Sequence, residues 1–312
     1  MPLFSPRFHP GHRVQLLQGA QELFPALVRA MDAARTSVLL ETYIFDTTGA
    51  GADIARALAR AAARGVRTQL VVDGVGTGRL PAHWFAHLRS AGVQVRVYAP
   101  LGPLGLLLPG RWRRLHRKLC VVDGTVLFCG GINILDDFHD PNFSALPAPR
   151  FDFAVRTEGA LVAQAQATME QLWWRLQAVH DARHYHLPQA VQALREAGVG
   201  LHMGMGQRTR SRTRAHSAHG LGMRAALLLR DNVRHRSRIE RAYRRAIAMA
   251  REDIIIANAY FLPGGKLRRA LVLAAQRGVR VRLLLQGRYE YFMPHHAVRP
   301  VYHTLLQAGV EI

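Results

Sequence analysis

The sequence predicts an α/β fold in which mixed β-sheets are flanked by helices and the whole unit is used twice. Three observations carry this. The segment AAARGVRTQLVVDG at residues 61–74 returns as AAQRGVRVRLLLQG at 274–287. Each copy follows an apolar strand ending in an aromatic turn, SVLLETYIF (37–45) and DIIIANAYFLP (253–263). Each copy precedes a helix and a short strand, LRSAGVQVRVY (88–98) and LLQAGVEI (305–312). Helical and strand patterns alternating in one order, twice, are the mark of a duplicated α/β unit.

Taken in order, each copy begins with an amphipathic helix, expected at 23–34 and 239–250, that leads into the first strand. An Ala-rich helix follows at 53–63 and 266–276, and an Arg-Gly pair ends it, since glycine accepts the left-handed C-terminal conformation. The next strand, 69–72 and 281–285, is nearly all apolar, as in a sheet covered on both faces. Between the copies, 161–176 and 187–197 read as helices, and 205–220 reads as an exposed loop with Arg208, Arg210, Arg212 and Arg214. The expected division is a first lobe at 1–200, a basic connecting loop at 201–222 and a second, incomplete lobe at 223–312.

Composition narrows the function. The net charge is +21, from 42 basic and 21 acidic residues, which favours an anionic partner: nucleic acid, acidic lipid or a phosphate-bearing substrate. The N-terminus carries no signal-peptide pattern, and no window approaches the ~18 apolar residues a membrane-spanning helix needs. Contact with a membrane would therefore be peripheral. Cys120 and Cys129 form no CxxC and read as buried thiols of a reducing compartment.

The chemistry concentrates in RWRRLHRKLCVVDGTVLFCGGINILDD. A strand is expected over 115–122, a two-residue hairpin turn at Asp123-Gly124 and a return strand over 125–129. Alternation along a strand puts His116 and Lys118 on one face. Gly130 and Gly131 allow close approach of backbone to a ligand, and Asn133 adds an amide. An imidazole can attack phosphorus, while a lysine and an amide neutralise charge on the non-bridging oxygens. The sequence holds only two lysines, Lys118 and Lys266, so a lysine beside His116 in an arginine-rich chain marks a specific demand. Neither a metal nor a cofactor is called for by this set: no HExxH, paired Cys/His spacing or DxD is present.

His116-x-Lys118-x4-Asp123-x6-Gly130-Gly131-x-Asn133 resembles the signature of the phospholipase D superfamily, with Gly-Gly in place of Gly-Ser as in its cardiolipin synthase branch. VQLLQGAQELFPALVRAMDAA, LLETYIF, ANAYFLPGGKLRRAL and LLQGRYEYFM look like the B-type bacterial cardiolipin synthases, so the resemblance covers nearly the whole chain. It implies two phospholipase D-like lobes related by a pseudo-twofold axis. It also implies His116 as nucleophile or general acid, Lys118, Gly131 and Asn133 at the substrate phosphate, and Asp123 as a motif acid of mainly structural role. An acid some thirty residues beyond the histidine orients the imidazole in the superfamily, and Asp152 is the candidate. Tyr43 and Tyr260, at matching places in the repeats, are expected to line the groove.

Members of this size carry a second motif, and the repeat offset places its histidine near position ~333, beyond Ile312. The sequence is therefore expected to stop short of that half-site, with a one-motif chain that dimerises as the rival reading. The implied reaction transfers a phosphatidyl group between anionic phospholipids such as phosphatidylglycerol, making cardiolipin and releasing glycerol, at the cytoplasmic side of a bacterial membrane. The loop LGPLGLLLPGRWRR suggests a docking device, with Leu106, Leu107 and Leu108 entering the interface and Trp112 and Arg113 at headgroup level. Arg288, Tyr289 and Glu290 are expected on a substrate-facing loop. A nuclease or phosphodiesterase of the same superfamily and an inactive membrane-binding form stay open at this point, as does the oligomeric state.

Overall fold

The computed structural model describes residues 6–100, 114–140, 144–183, 186–206, 222–229, 237–259, 261–286 and 302–312. The chain divides into two compact units, one of Phe8–Leu227 and one built on Leu228–Ile312.

The larger unit runs β1 (His9–Gln18), α1 (Gly19–Ala33), β2 (Ser37–Thr42), α2 (Gly51–Ala63), β3 (Arg67–Asp73), α3 (Ala82–Ser90), β4 (Gln94–Tyr98), β5 (Leu119–Val122), β6 (Val126–Gly130), the two-residue strands β7 (His139–Asp140) and β8 (Ser144–Ala145), β9 (Phe153–Glu158), α4 (Leu161–Arg183), α5 (Leu187–Gly206) and β10 (Met223–Ala225). Its eight-stranded sheet has the order β10-β1-β9-β6-β5-β2-β3-β4. The pairs β2–β3 and β3–β4 are parallel and the rest are antiparallel, so the sheet is mixed.

Alternating side chains divide this sheet between two layers. Leu40, Cys120 and Val122 pack with Leu27, Met31, Ile54 and Leu58 of α1 and α2. Leu39, Leu119 and Val121 pack with Val162, Ala165 and Met169 of α4. With both faces covered, β2 is buried along its whole length, its polar Ser37, Glu41 and Thr42 as well as Val38, Leu39 and Leu40. α1 has no cap from its own flanking residues; the Asp137 carboxylate, far along the chain, accepts the Ala20 N–H instead.

The smaller unit runs α6 (Arg238–Met249), β11 (Asp253–Asn258), α7 (Gly265–Gln276), β12 (Arg280–Leu285) and a helix over 302–307. β11 and β12 are parallel, and an isolated parallel bridge joins Arg282 to Glu311. This repeats the order and direction of α1-β2-α2-β3-α3-β4. The repeat extends to how the helices end. After α2, Gly65 (φ 84°) donates to Ala62 C=O and Val66 to Ala61 C=O; after α7, Gly278 (φ 86°) donates to Ala275 C=O and Val279 to Ala274 C=O. Both are Schellman closures, and the Gly-Val pair is legible because the glycine takes the left-handed position while the valine enters the core.

One expectation needs correction. The strand foreseen at 115–122 is regular only from Leu119, because the Leu115 N–H goes to the Asp73 carboxylate and not to a neighbouring strand. Over 37–45 the strand ends at Thr42, whose hydroxyl donates to the Ile44 C=O and opens the aromatic turn; Phe45 rejoins through a single bridge to Ile134. The compact units divide after Leu227, and Met223–Ala225 pairs with β1 in the large sheet. The hairpin at Asp123-Gly124 has both residues at positive φ, 51° and 63°, with Thr125 N–H donating to Val122 C=O, the sign pattern of a type I′ turn.

Candidate active site

His116, Lys118, Gly131 and Asn133 gather at one end of the large sheet, where β2, β3 and β6 finish and β5 and β9 begin. Tyr43 lies at the centre. The His116 ring stacks on it, with centroids 4.3 Å apart and planes 17° apart. Lys118 Nζ lies 5.4 Å from the centroid of the same ring and donates to the His116 C=O at 3.3 Å. His116 and Lys118 thus project to a common side, as alternation requires. Arg117, between them, meets Glu41.

Asn133 is fixed by its own oxygen, which accepts the Ile44 N–H at 3.1 Å. That contact occupies the amide oxygen and identifies the NH2 as the end that can donate. The segment after Tyr43 is stitched to the one around Asn133 by Ile134 N–H to Ile44 C=O and by Asp46 N–H to Ile134 C=O. Gly131 is open to solvent, and a Cβ there would fall against the Asp152 carboxylate. A Cβ at Gly130 would stand 2.5 Å from the Ala154 Cα. The Gly-Gly pair therefore reflects crowding by β9.

Electrostatics suit a neutral nucleophile. Burial, and then the charge of Lys118, lower the His116 pKa below its ordinary value, against an opposing pull from Asp73. The imidazole still keeps an exposed edge, Tyr43 covering one face. Lys118 is itself lowered by burial, while Asp152 acts to keep it charged. Asp152 is raised by burial, although the Phe153 N–H and the charges of Lys118 and Arg150 stabilise its anion. The charge of Asp152 thus favours the protonated form of Lys118, and no hydrogen bond joins Asp152 to His116 among the described residues.

Asp123 stands at the opposite end of β5. Its carboxylate takes the backbone N–H groups of Arg35, Thr36 and Ser37 and the Thr36 hydroxyl, at 2.8–3.2 Å. Partial burial alone would raise its pKa, but the Ser37, Thr36 and Arg35 contacts outweigh it and hold the carboxyl low. Its task is to tie the β5–β6 turn to the entry of β2. Cys120 is buried, which pushes its thiol up to about 12, and reads as packing.

Two buried acids near the motif escaped sequence reasoning. Asp73, fully buried, bridges the turn after β3 to the chain just before His116. Its signal was an acid closing an apolar strand ahead of GVGTG, at the C-terminal end of a parallel strand where sites tend to lie. Glu41 is 1% exposed and pairs across the sheet with Leu119. The Arg117 guanidinium comes to 2.8 Å from its Oε2, yet off the line a hydrogen bond requires, so neither carboxylate oxygen has a hydrogen-bonded donor. Burial, against the charge of Arg117, raises Glu41 to about 7. Its signal was a lone ionisable group in SVLLET.

Tyr260, Leu106, Leu107, Leu108, Trp112, Arg113, Arg288, Tyr289, Glu290 and the arginines of 208–214 lie outside the described residues. Among the described residues, no cluster of three or more His, Cys, Asp or Glu is placed to hold a metal ion.

A family model described as cardiolipin synthase, PLD-like domain, matches residues 27–173 and 243–312. Cardiolipin synthase B of Escherichia coli strain K12 is 32% identical over 311 residues, covering 97% of this chain and 66% of that protein. Cardiolipin synthase B of Salmonella typhi is 33% identical with the same coverage. The chain thus spans 66% of the length of these curated relatives. The crystal structure of phosphatidylserine synthase from Haemophilus influenzae matches with a TM-score of 0.56 at 11% identity, covering 96% of this chain and 69% of that one, which is agreement of fold. The first matched stretch contains the His116 motif and the second the repeated α/β unit, and so the chain belongs to the phospholipase D-like family of cardiolipin synthase domains.

Proposed function

We propose that this chain carries the phosphorus-attacking site of a phosphatidyltransferase that makes cardiolipin from phosphatidylglycerol. One observation carries the reading: His116 and Lys118 converge on the Tyr43 ring with the imidazole held below its ordinary pKa. The imidazole nitrogen forms the N–P bond as the P–O bond to the headgroup glycerol breaks. Lys118 and the Asn133 NH2 meet the charge that develops on the non-bridging oxygens. The departing glycerol oxygen takes a proton from a second acid, which the two-motif pattern of the superfamily assigns to a second histidine. The hydroxyl of another phosphatidylglycerol then attacks phosphorus, displaces the imidazole and gives up its proton. Two phosphatidylglycerols become one cardiolipin and one glycerol.

The relatives' names support this substrate class. The charge of +21 supports an anionic surface, and no helix among the described residues is long and apolar enough to cross a membrane. The proposed location is the cytoplasmic side of a bacterial membrane, held peripherally. The test is incubation with vesicles of phosphatidylglycerol labelled at phosphorus, followed by mapping of the covalent adduct. An acid-labile phosphatidyl group on His116, with glycerol released and both absent in His116→Asn, is expected. No adduct, together with cleavage of single-stranded DNA, would move the assignment to a nuclease.

A further inference from the structure

The turn after β3 is bonded to the chain beside each partner of the Tyr43–His116 stack. Asp73 Oδ1 accepts the N–H groups of Val75 and Gly76 at 2.8 and 3.1 Å, which shapes the turn, and Arg114 Nη1 lies 3.4 Å from it. Its Oδ2 accepts the Leu115 N–H at 2.8 Å, which fixes the chain one residue before His116. At the other end of the turn, the Thr77 hydroxyl donates to the Tyr43 C=O at 2.9 Å and accepts the Phe45 N–H at 3.0 Å. The backbone just after Tyr43, on both sides of Ile44, is thereby held by one side chain. Between them, Gly76 lies under the Tyr43 ring: a Cβ there would stand 2.6 Å from Tyr43 Cε2. Thr77 N–H donates to the Asp73 C=O at 3.2 Å, closing the turn on itself.

We infer that Asp73 and Thr77 are positioning residues that hold His116 against Tyr43 and so aim the imidazole nitrogen at the substrate phosphorus. The inference rests on the phosphatidyltransferase reading for what the imidazole attacks, but not for the geometry. Neither residue needs to meet the substrate. The bridge requires two acceptor oxygens on one carboxylate, one for the turn and one for Leu115. Asparagine has only one and presents an NH2 to the other N–H, so Asp73→Asn opens the bridge. Thr77→Val keeps the shape of the side chain and loses both hydrogen bonds, whereas Thr77→Ser keeps them.

The experiment is carbon-detected histidine NMR on the 312-residue chain, with the His116 resonance assigned by its loss in His116→Asn. In the parent protein the His116 ring signals should show the upfield ring-current shift of a stacked tyrosine. That shift should be lost in Thr77→Val and restored in Thr77→Ser. The His116 titration midpoint should move down in Asp73→Asn, because the carboxylate that favours the imidazolium is gone. Asp73→Asn also removes a buried acceptor and risks the fold; the Thr77 pair carries the test if it does. Folded Thr77→Val with unchanged His116 signals would overturn the proposal. Displaced His116 signals with unaltered adduct formation from phosphatidylglycerol would overturn the aiming role and leave the proposed reaction standing; displaced signals with no adduct even in the parent protein would leave the positioning intact and count against the proposed reaction.

Discussion

Replacing Glu41 by Gln should stabilise the larger unit by an amount that grows with pH. The carboxyl is 1% exposed and lacks a hydrogen-bonded donor, and burial raises it from 4.5 to about 7. The folded state therefore binds this proton more tightly than the unfolded chain does. Below the unfolded value the group is neutral in both states and costs nothing. Between 4.5 and about 7 the unfolded chain releases this proton while the folded protein holds it, so stability falls progressively, and the loss is complete once the buried acid ionises above about 7. At ~1.4 kcal/mol per tenfold change in proton affinity, the full loss is about 3 kcal/mol. Glutamine has the same shape and no such titration, and Arg117, 32% exposed, can turn its guanidinium to water. Denaturant unfolding of both proteins from pH 4.5 to 8.5 measures the difference. All four tryptophans, residues 84, 112, 173 and 174, lie between Phe8 and Leu227, so their fluorescence reads that unit. The expected gain for Glu41→Gln is near zero at pH 4.5 and about 3 kcal/mol at pH 8.5. A difference that stays flat with pH, or a loss that deepens as pH rises, would refute the reasoning. The latter would show that the Arg117–Glu41 pair is net favourable as ions.

Asp123→Ala should destabilise by about 2 kcal/mol, since four donors lose a partly solvated charged acceptor. Because the Asp123 pKa is held low, that cost should be complete at neutral pH and vanish as pH falls through the depressed value, as thermal melts at pH 7 and below 3 would show. Gly131→Ala should lower adduct formation while the melting temperature holds, because its Cβ displaces Asp152 and with it the counter-charge of Lys118. Replacing Leu106, Leu107 and Leu108 together by Ser should weaken binding to phosphatidylglycerol vesicles in a flotation assay and leave circular dichroism unchanged; unchanged binding would reject the docking role of that loop.

The architecture was legible because each of its signals is local. The Gly-Val pairs after α2 and α7 announce helix ends, and the nearly all-apolar stretch 69–72 in β3 announces a strand covered on both faces. The convergence of His116 and Lys118 followed from strand alternation, although regular pairing begins only at Leu119. What the sequence hid depends on long-range contacts. Nothing in VVDG says that Asp73 will reach across to Leu115, and nothing in TTG or VGTG says that Thr77 will hold the backbone around Tyr43. Spacing suggested Asp152 for the imidazole; its carboxylate lies beside Gly131, where its charge favours the protonated form of Lys118, a neighbour that spacing alone does not name.

Lys118 has two effects that the structure allows to be separated. It lowers the His116 pKa by its charge, second to burial, and it is placed to meet substrate phosphate. Lys118→Met keeps the length and apolar stem and removes only the charge. Without it, the His116 pKa rises, so the acid limb of the rate of adduct formation, where protonation silences the nucleophile, should move to higher pH. The plateau above that limb reports something else, the charge stabilisation of the transition state. Loss of one such donor typically costs about 10²–10³-fold, and the plateau should fall by that order. Single-turnover rates on phosphatidylglycerol vesicles across pH 4 to 9 give both numbers from one variant. A lowered plateau with an unmoved limb would mean that Lys118 serves the phosphate alone and that burial against Tyr43 is what keeps His116 neutral. A shifted limb with an unchanged plateau would remove Lys118 from the phosphate site and leave Asn133 as its remaining donor.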